Sequence, residues 1–326
     1  MSVNAVVCRT LGPPTVLRTE SIPEAPVGDG DLRITVKAAG VNFPDILMVA
    51  GAHQHKPPLP FVPGLEVAGE IAEIGPAVTG FGVGDRVMAS VRTGGYADQV
   101  VVPATAVWPL PRPFDFIKGA AFLVAYNTAY VSLVRRGAIQ SGDTLLVHGA
   151  AGGVGLAAVE LAAALGARVI AVVGSTAKTD AVRQAGAADV VLTDNGGWRD
   201  TVKELTQGRG VDVVYDPVGG DRLEASVRLT APFGRVLVVG FADGQLPTVR
   251  ANLLLLKVAS LIGVRAGEHR RRSPAAAKAD SQALLALAEA GQLTPRVHAV
   301  HALADFLDAM AHLSNRSVIG RVVLVP

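Results

Sequence analysis

The residues best placed to do chemistry are the glycines of HGAAGGVG, from His148 to Gly155. They follow an apolar run, TLLV, and precede GLAAVELAAALG, a stretch whose residues favour a helix. A helix opening at such a turn directs free N–H groups and about half a positive charge at whatever lies before it. That arrangement suits a phosphate. Gly152 lets the backbone approach a pyrophosphate closely, and Gly155 lets the helix pack tightly on the sheet. Ala150, Gly152, Gly153, Val154 and Gly155 are therefore the expected dinucleotide-binding residues. Ala150 stands at the first position of the usual G-x-G-x-x-G pattern, so strand, turn and helix together carry the reading. A glycine turn without a ligand is the alternative.

The next apolar run, RVIAVVG, decides between dinucleotides. An NAD enzyme usually ends this strand in Asp or Glu, which holds the ribose 2′-hydroxyl. Here the run ends in Gly174, Ser175 and Thr176, with Lys178 close behind. No carboxylate repels a 2′-phosphate, and hydroxyls and a cation are available to hold one. NADPH is expected over NADH, although Lys178 could equally be a solvated helix residue. Two later strand ends, YDPVGG and VVGFADG, should reach the same crevice. Backbone at Val218, Gly219 and Phe241 is expected near the ribose and nicotinamide, while DPVGG alone would be only a proline–glycine turn.

These residues need a scaffold, and the chain supplies one. Its 326 residues suffice for two domains. Half are hydrophobic and 18% are charged, the composition of a well-buried globular protein. A formal net charge of +2 offers no electrostatic footprint for nucleic acid. One cysteine, Cys8, excludes an internal disulfide framework and a cysteine-rich zinc lobe. The longest low-charge region, Leu145 to Val173, contains His148, Glu160 and Arg168, which argues against a membrane span. A cytoplasmic location is the default. Up to about Val102, short apolar runs such as LRITVKAAGV and VAGEIAEIG alternate with Gly, Pro and Asp, which predicts an antiparallel β domain. From roughly Phe122 onward, strands alternate with alanine-rich helices, which predicts a parallel sheet covered on both faces.

AAGVNFPDIL, KPPLPFVPGLEVAGEI, GVGDRV, GGYADQVVV, HGAAGGVG and DPVGG come in an order and spacing that resemble the medium-chain dehydrogenase/reductases. More narrowly, they resemble the zinc-independent quinone oxidoreductase (zeta-crystallin-like) branch. The resemblance implies an α/β fold: a Rossmann doubly wound parallel sheet plus a GroES-like antiparallel β domain. The boundaries expected are 1–123 for the GroES-like domain, 124–264 for the Rossmann domain, and 265–326 for a return segment. It also implies a homodimer through the Rossmann sheet edge, at Ala259 to Val264.

Alcohol dehydrogenases of this superfamily hold catalytic zinc with a cysteine and a histidine. Those positions are Asn42 and Leu65 here, with Glu66 retained beside them. Leucine cannot ligate and an asparagine amide is a poor zinc ligand, so no metal is expected. By the same resemblance Asn42 lies beside the nicotinamide and could donate to the substrate oxygen, unless it only closes a turn before Pro44. Thr128 matches a threonine near the nicotinamide amide, or is a helix-capping hydroxyl. Where relatives often have GKYQ this chain has GAHQ. His53 thus replaces a tyrosine and could supply a proton, or is an exposed loop histidine. Arg316 matches an arginine that helps hold the 2′-phosphate. Arg265 and the run His269 to Arg272 make the expected substrate mouth basic.

The activity implied is metal-independent reduction of quinones with NADPH, by hydride or electron transfer. Reduction of the C=C bond of an enone or enoyl thioester is the enzymatic alternative. A non-catalytic NADPH-binding crystallin-like or sensor protein is the alternative of another kind.

Overall fold

The computed structural model of the chain describes residues 2–193, 196–315 and 317–326. Contacts divide the chain into two units, Met1–Val124 with Thr294–Pro326, and Ala125–Leu293. The first unit runs through β1 (Ser2–Val7), β2 (Arg18–Pro23), β3 (Asp31–Val41), α1 (Phe43–Val49), β4 (Glu66–Ile74), β5 (Arg86–Ser90), β6 (Gln99–Pro103), β7 (Val107–Pro109) and α2 (Phe116–Ala120). Next, α3 (Leu123–Tyr130) continues into a π-helical stretch over Val131–Arg136. The second unit then alternates β8 (Thr144–Val147), α4 (Gly153–Ala164), β9 (Arg168–Val173), α5 (Thr179–Gln184), β10 (Asp189–Leu192), α6 (Trp198–Leu205), β11 (Val211–Asp216), α7 (Asp221–Leu229), β12 (Thr230–Val238), α8 (Ala251–Lys257) and β13 (Ser260–Gly263). It closes with α9 (Ala266–Arg272) and α10 (Pro274–Glu289). Finally β14 (Val297–Ala302), α11 (Phe306–Ser314) and β15 (Arg321–Val325) return to the first unit.

In the second unit, six parallel strands lie in the order β10-β9-β8-β11-β12-β13. This is a Rossmann doubly wound sheet. Its central strands are apolar on both faces because helices cover both. All four residues of TLLV are buried, as are the last five of RVIAVV. Seven residues of α4 are buried, most of them alanine or another aliphatic, so the helix lies close on the sheet. The strand order reverses between β8 and β11, which pair from Leu145↔Val213 to Val147↔Tyr215. The loops after these two strands therefore leave the sheet side by side.

The first unit holds a sheet ordered β14-β15-β3-β4-β5-β7, with β6 also pairing β3. Its pairs are antiparallel except β14 with β15. The first six residues of β3 alternate between half-buried and buried, the signature of a strand with one face on a core. Its last four are buried without alternation, and that sunken end leads directly to Asn42.

The second unit extends to Leu293, so the return to the first unit comes later than the expected residue 265. An ion cluster accounts for this. Asp280 of α10, buried, accepts from Arg135 Nε (2.7 Å) of the π-helical stretch and lies 3.0 Å from His269 Nε2 of α9. The neighbouring Ser281 hydroxyl donates to Asn127 Oδ1 (3.3 Å) in α3. Both helices are thus tied to the start of the second unit. Among the described residues, no helix is long and apolar enough to cross a membrane.

Candidate functional site

The loop after β8 is built around a glycine one residue earlier than the sequence pattern suggests. Gly149 adopts φ +56°, a left-handed turn that glycine makes without strain, whereas Ala150 is buried and ordinary. The Ala150 N–H donates to the Val172 carbonyl (3.2 Å), and Gly152 N–H donates to Gly149 O (2.9 Å). Gly152 is the N-cap of α4 in extended conformation, and no side chain caps this end. The N–H groups of Gly153, Val154 and Gly155 therefore lack an intrahelical partner. Gly155 is the glycine that the packing cannot replace. A Cβ there would lie 2.2 Å from Gly149 O and 2.9 Å from the Ala150 Cα. At Gly152 an added Cβ would come no nearer than 3.3 Å, so openness rather than close packing distinguishes that position.

The neighbouring strand ends close on themselves to different degrees. Asp216, at the end of β11, accepts on Oδ1 from the N–H of Val218 (2.8 Å) and of Gly219 (2.9 Å). The Val218 carbonyl accepts from Asp243 N–H (3.0 Å), so both backbone groups of Val218 are already engaged. Its N–H is therefore not available to a ligand, whereas its carbonyl keeps a second lone pair. Phe241 differs: its carbonyl accepts from Gly244 N–H (2.9 Å), but its N–H enters no hydrogen bond among the described residues. Ser175 precedes a single helical turn over Thr176–Lys178 and accepts the Lys178 N–H (3.2 Å). Thr176 is exposed and Lys178 half-buried. Ala150 to Gly155, Ser175 to Lys178, Val218 with Gly219, and Phe241 thus all lie at the carboxyl edge of one sheet. His148 stands just behind them, fully buried against the edge of Trp198 with ring centroids 5.2 Å apart. Burial, with the Arg222 charge adding, pushes its pKa down to about 3, so it stays neutral and bonds Ser226 Oγ (2.7 Å).

The first unit holds a second cluster of buried polar groups. Asn42 caps α1, and its side-chain nitrogen donates to Gly40 O (3.1 Å) and to Glu66 Oε1 (3.1 Å). Glu66 is fully buried at the start of β4. It also accepts from the Val124 N–H (2.9 Å) and pairs with Arg321 of β15, itself only 7% exposed. Asp45, one turn into α1, accepts from Asn42 N–H (2.8 Å), from the Tyr96 hydroxyl (2.9 Å) and from Gly64 N–H (3.3 Å). Of these, Asp45, Tyr96 and Arg321 were not singled out from the sequence. The N-x-x-D spacing of Asn42 and Asp45, that of a helix capping box, was a visible signal. So was an arginine opening the apolar strand RVVLV.

The remaining expectations fall apart from these clusters. His53 lies in the loop after α1, at the end opposite Asn42, where its half-buried ring accepts the His55 N–H (3.1 Å). Thr128 sits within α3 rather than at a cap, and its carbonyl accepts the Ser132 hydroxyl (2.6 Å) as the π-helical stretch begins. Arg316 lies outside the described residues. The basic run is largely neutralised: Arg271 and Arg272 both bond Glu268, and His269 faces Asp280.

Known proteins share this architecture. Residues 28–112 match the family model of the alcohol dehydrogenase GroES-like domain, and residues 153–291 that of the zinc-binding dehydrogenases. A quinone oxidoreductase-like protein 2 homolog of Nematostella vectensis is 37% identical over 99% of this chain and 89% of its own. The crystal structure of a probable oxidoreductase from Mycobacterium abscessus superposes with a TM-score of 0.91 at 38% identity, covering all of both chains. Escherichia coli quinone oxidoreductase complexed with NADPH superposes at 0.90 and 29% identity, covering 99% of this chain and all of that one.

The buried carboxylates lead to a measurable pH effect. Burial pushes Asp45 from its ordinary 3.8 up to about 7, against the donors of Asn42 and Tyr96, and the nearby Glu66 charge adds to the rise. An acid whose pKa rises on folding binds its proton more tightly in the folded state. Its contribution to stability is complete below about pH 4 and is lost as pH climbs through about 7, at about 1.4 kcal/mol per pH unit at most. Chemical denaturation from pH 4 to 8 should show stability declining over that window in the parent and a flatter profile in Asp45→Asn. Equal slopes would show that Asp45 stays ionised throughout.

Proposed function

The chain belongs to the medium-chain dehydrogenase/reductase superfamily, in its quinone oxidoreductase branch, and from that premise we propose that it reduces quinones with NADPH and without a metal ion. One observation carries this reading: the uncapped amides at the start of α4 open beside the end of β9, which offers hydroxyls and no carboxylate from Val173 to Lys178. The amides of Gly153 to Gly155 hold the bridging phosphates, and Gly155 sets how near the helix comes to its turn. Ser175, Thr176 and Lys178 hold the 2′-phosphate, and the Phe241 N–H is a further donor at the same edge. NADPH, when bound, supplies the reducing equivalents.

The residues at the positions that hold zinc in related enzymes do not suit it in this chain. Leu65 has no donor atom, while the Asn42 nitrogen and Glu66 are engaged with each other and with Gly40 and Arg321. Among the described residues, no group of three His, Cys, Asp or Glu is placed to hold a metal ion. A simple carbonyl needs a Lewis acid to stabilise the alkoxide that forms on reduction. A quinone spreads that charge through conjugation and needs mainly to be held and shielded from water. The enoyl-thioester reading drew on a basic mouth for a phosphorylated carrier. The Glu268 pairs of Arg271 and Arg272 weaken that support, so the quinone reading stands first.

A second copy of the chain is the partner that fits β13. This strand ends the sheet with one edge unpaired. Around it Phe233, Leu255 and Leu256 are 75%, 77% and 71% exposed, with Val258 and Leu261 also exposed. Phe233 (φ +65°) and Val258 (φ +51°) both adopt left-handed backbone, which is strained for such side chains, and they are joined by the Phe233 N–H to Val258 O (3.1 Å). Pairing β13 with its own two-fold copy covers this apolar surface and satisfies the edge.

Purified protein should oxidise NADPH in the presence of small quinones at a rate that chelators leave unchanged. Tight NADPH binding with no turnover of any quinone or enone would point instead to a non-catalytic role. Placing a carboxylate at the end of β9, with Ser175→Asp, should weaken NADPH at least about tenfold and favour NADH; about 1.4 kcal/mol corresponds to that factor. An unchanged cofactor preference would move the 2′-phosphate site elsewhere. In sedimentation velocity the parent should run as a dimer and Leu255→Asp/Leu261→Asp as a monomer. A monomeric parent removes the edge-pairing proposal.

A further inference from the structure

Two loops of the first unit bring together cationic groups that bond no carboxylate among the described residues. Arg92 is exposed, its Nη2 donates to His55 Nδ1 (3.1 Å), and it makes no ion pair among the described residues. Arg33 and Arg321 of the same unit differ, since they bond Glu73 and Glu66. Both loops are anchored. On either side of Arg92, Val91 N–H donates to Leu65 O (2.8 Å) and Gly94 N–H to Val62 O (2.7 Å). The N–H groups of Ala52 and His53 donate to Leu47 O of α1, and the His55 N–H donates to His53 Nδ1.

The bond from Arg92 decides where His55 carries its proton. A guanidinium has only N–H groups to offer, so Nδ1 must accept, and the neutral ring then holds its hydrogen on Nε2. Burial, with the Arg92 charge and His53 adding, lowers the pKa of His55 and favours that neutral ring. Nε2 reaches the surface and has no acceptor among the described residues. It belongs to the ring that Arg92 touches, so an N–H donor lies beside a guanidinium with most of its own N–H groups unused. Lys56 comes next in the chain, exposed and without an ion pair among the described residues. These side chains offer outward donors and the positive charges of Arg92 and Lys56, with no acceptor to match them.

A phosphate is the complementary group. At neutral pH it carries a charge of about −1.5 to −2, and its oxygens accept strongly. A guanidinium holds two of those oxygens in its planar fork, which leaves a third for the imidazole N–H.

We propose that Arg92, His55 and Lys56 form a binding site for a phosphate dianion, either free phosphate or the monoester end of a larger molecule. The site uses none of the residues assigned to the dinucleotide, and it stands whether or not quinones are reduced.

Calorimetric titration of the full-length protein at low salt tests this, with NADP+ at saturation to keep added phosphate off the amides of α4. Inorganic phosphate and phenyl phosphate are titrated separately. Both should bind, and Arg92→Met and His55→Phe should each weaken them about tenfold or more, the size of one charge-assisted hydrogen bond. Lys56→Met leaves the bond between Arg92 and His55 in place and should weaken them less, by about fivefold. Thermal unfolding unchanged from the parent shows that each variant is folded. Tighter phenyl phosphate would identify a monoester as the ligand and equal affinities free phosphate, and either result supports the site. No binding of phosphate by the parent would overturn the proposal. So would affinity retained in folded Arg92→Met, the mark of an adventitious ion only.

Discussion

The second unit depends on how near the start of α4 comes to the turn after β8. At Gly155 the space for a side chain is already filled by the Gly149 carbonyl, 2.2 Å from where a Cβ would sit. That approach is possible only because two glycines act together: Gly149 turns the chain through left-handed backbone, and Gly155 yields the volume. Bringing the helix this close aims its unpaired amides along the carboxyl edge of the sheet. The same edge carries the ends of β9, β11 and β12. Phosphate recognition by backbone is thus a consequence of packing, and it leaves side chains such as Ser175 and Lys178 to distinguish one dinucleotide from another.

The first unit depends on a different constraint, the cost of burying charge. Glu66 is fully buried and would be strongly destabilising without a partner. Arg321, Asn42 and the Val124 amide together satisfy it, and they come from a β strand, a helix cap and the start of α3. Such a group fixes geometry as much as it stabilises, because each partner has only one direction in which to point. The return of the chain after Leu293 has its reason here. Without β15 in the first unit, Glu66 would lose its Arg321 partner.

Much of this could be read in advance, and the parts that could not share a cause. Strand and helix alternation from Phe122 onward announced the Rossmann sheet, since buried parallel strands must be apolar on both faces and TLLV and RVIAVV are. The glycine-rich turn was legible as a phosphate site because its chemistry is local. Contacts between residues distant in sequence were not legible. The Val218 N–H looked available until the Asp216 carboxylate was seen to hold it. His269 to Arg272 looked like a basic patch until Glu268 and Asp280 paired with it. Residue 265 looked like a boundary because nothing in the local sequence reports that Asp280 reaches Arg135, 145 positions away.

Two buried carboxylates bonded to Asn42 meet the cost of burial in different ways. Burial disfavours charge on both. Glu66 has the Arg321 guanidinium beside it, whereas Asp45 has only neutral donors and is pushed up to about 7. The nearby Glu66 adds to that rise by repulsion. Each proton that Asp45 takes up as pH falls through about 7 relieves that repulsion. Asn42 thus sits between a carboxylate paired with a cation and one that exchanges its charge for a proton.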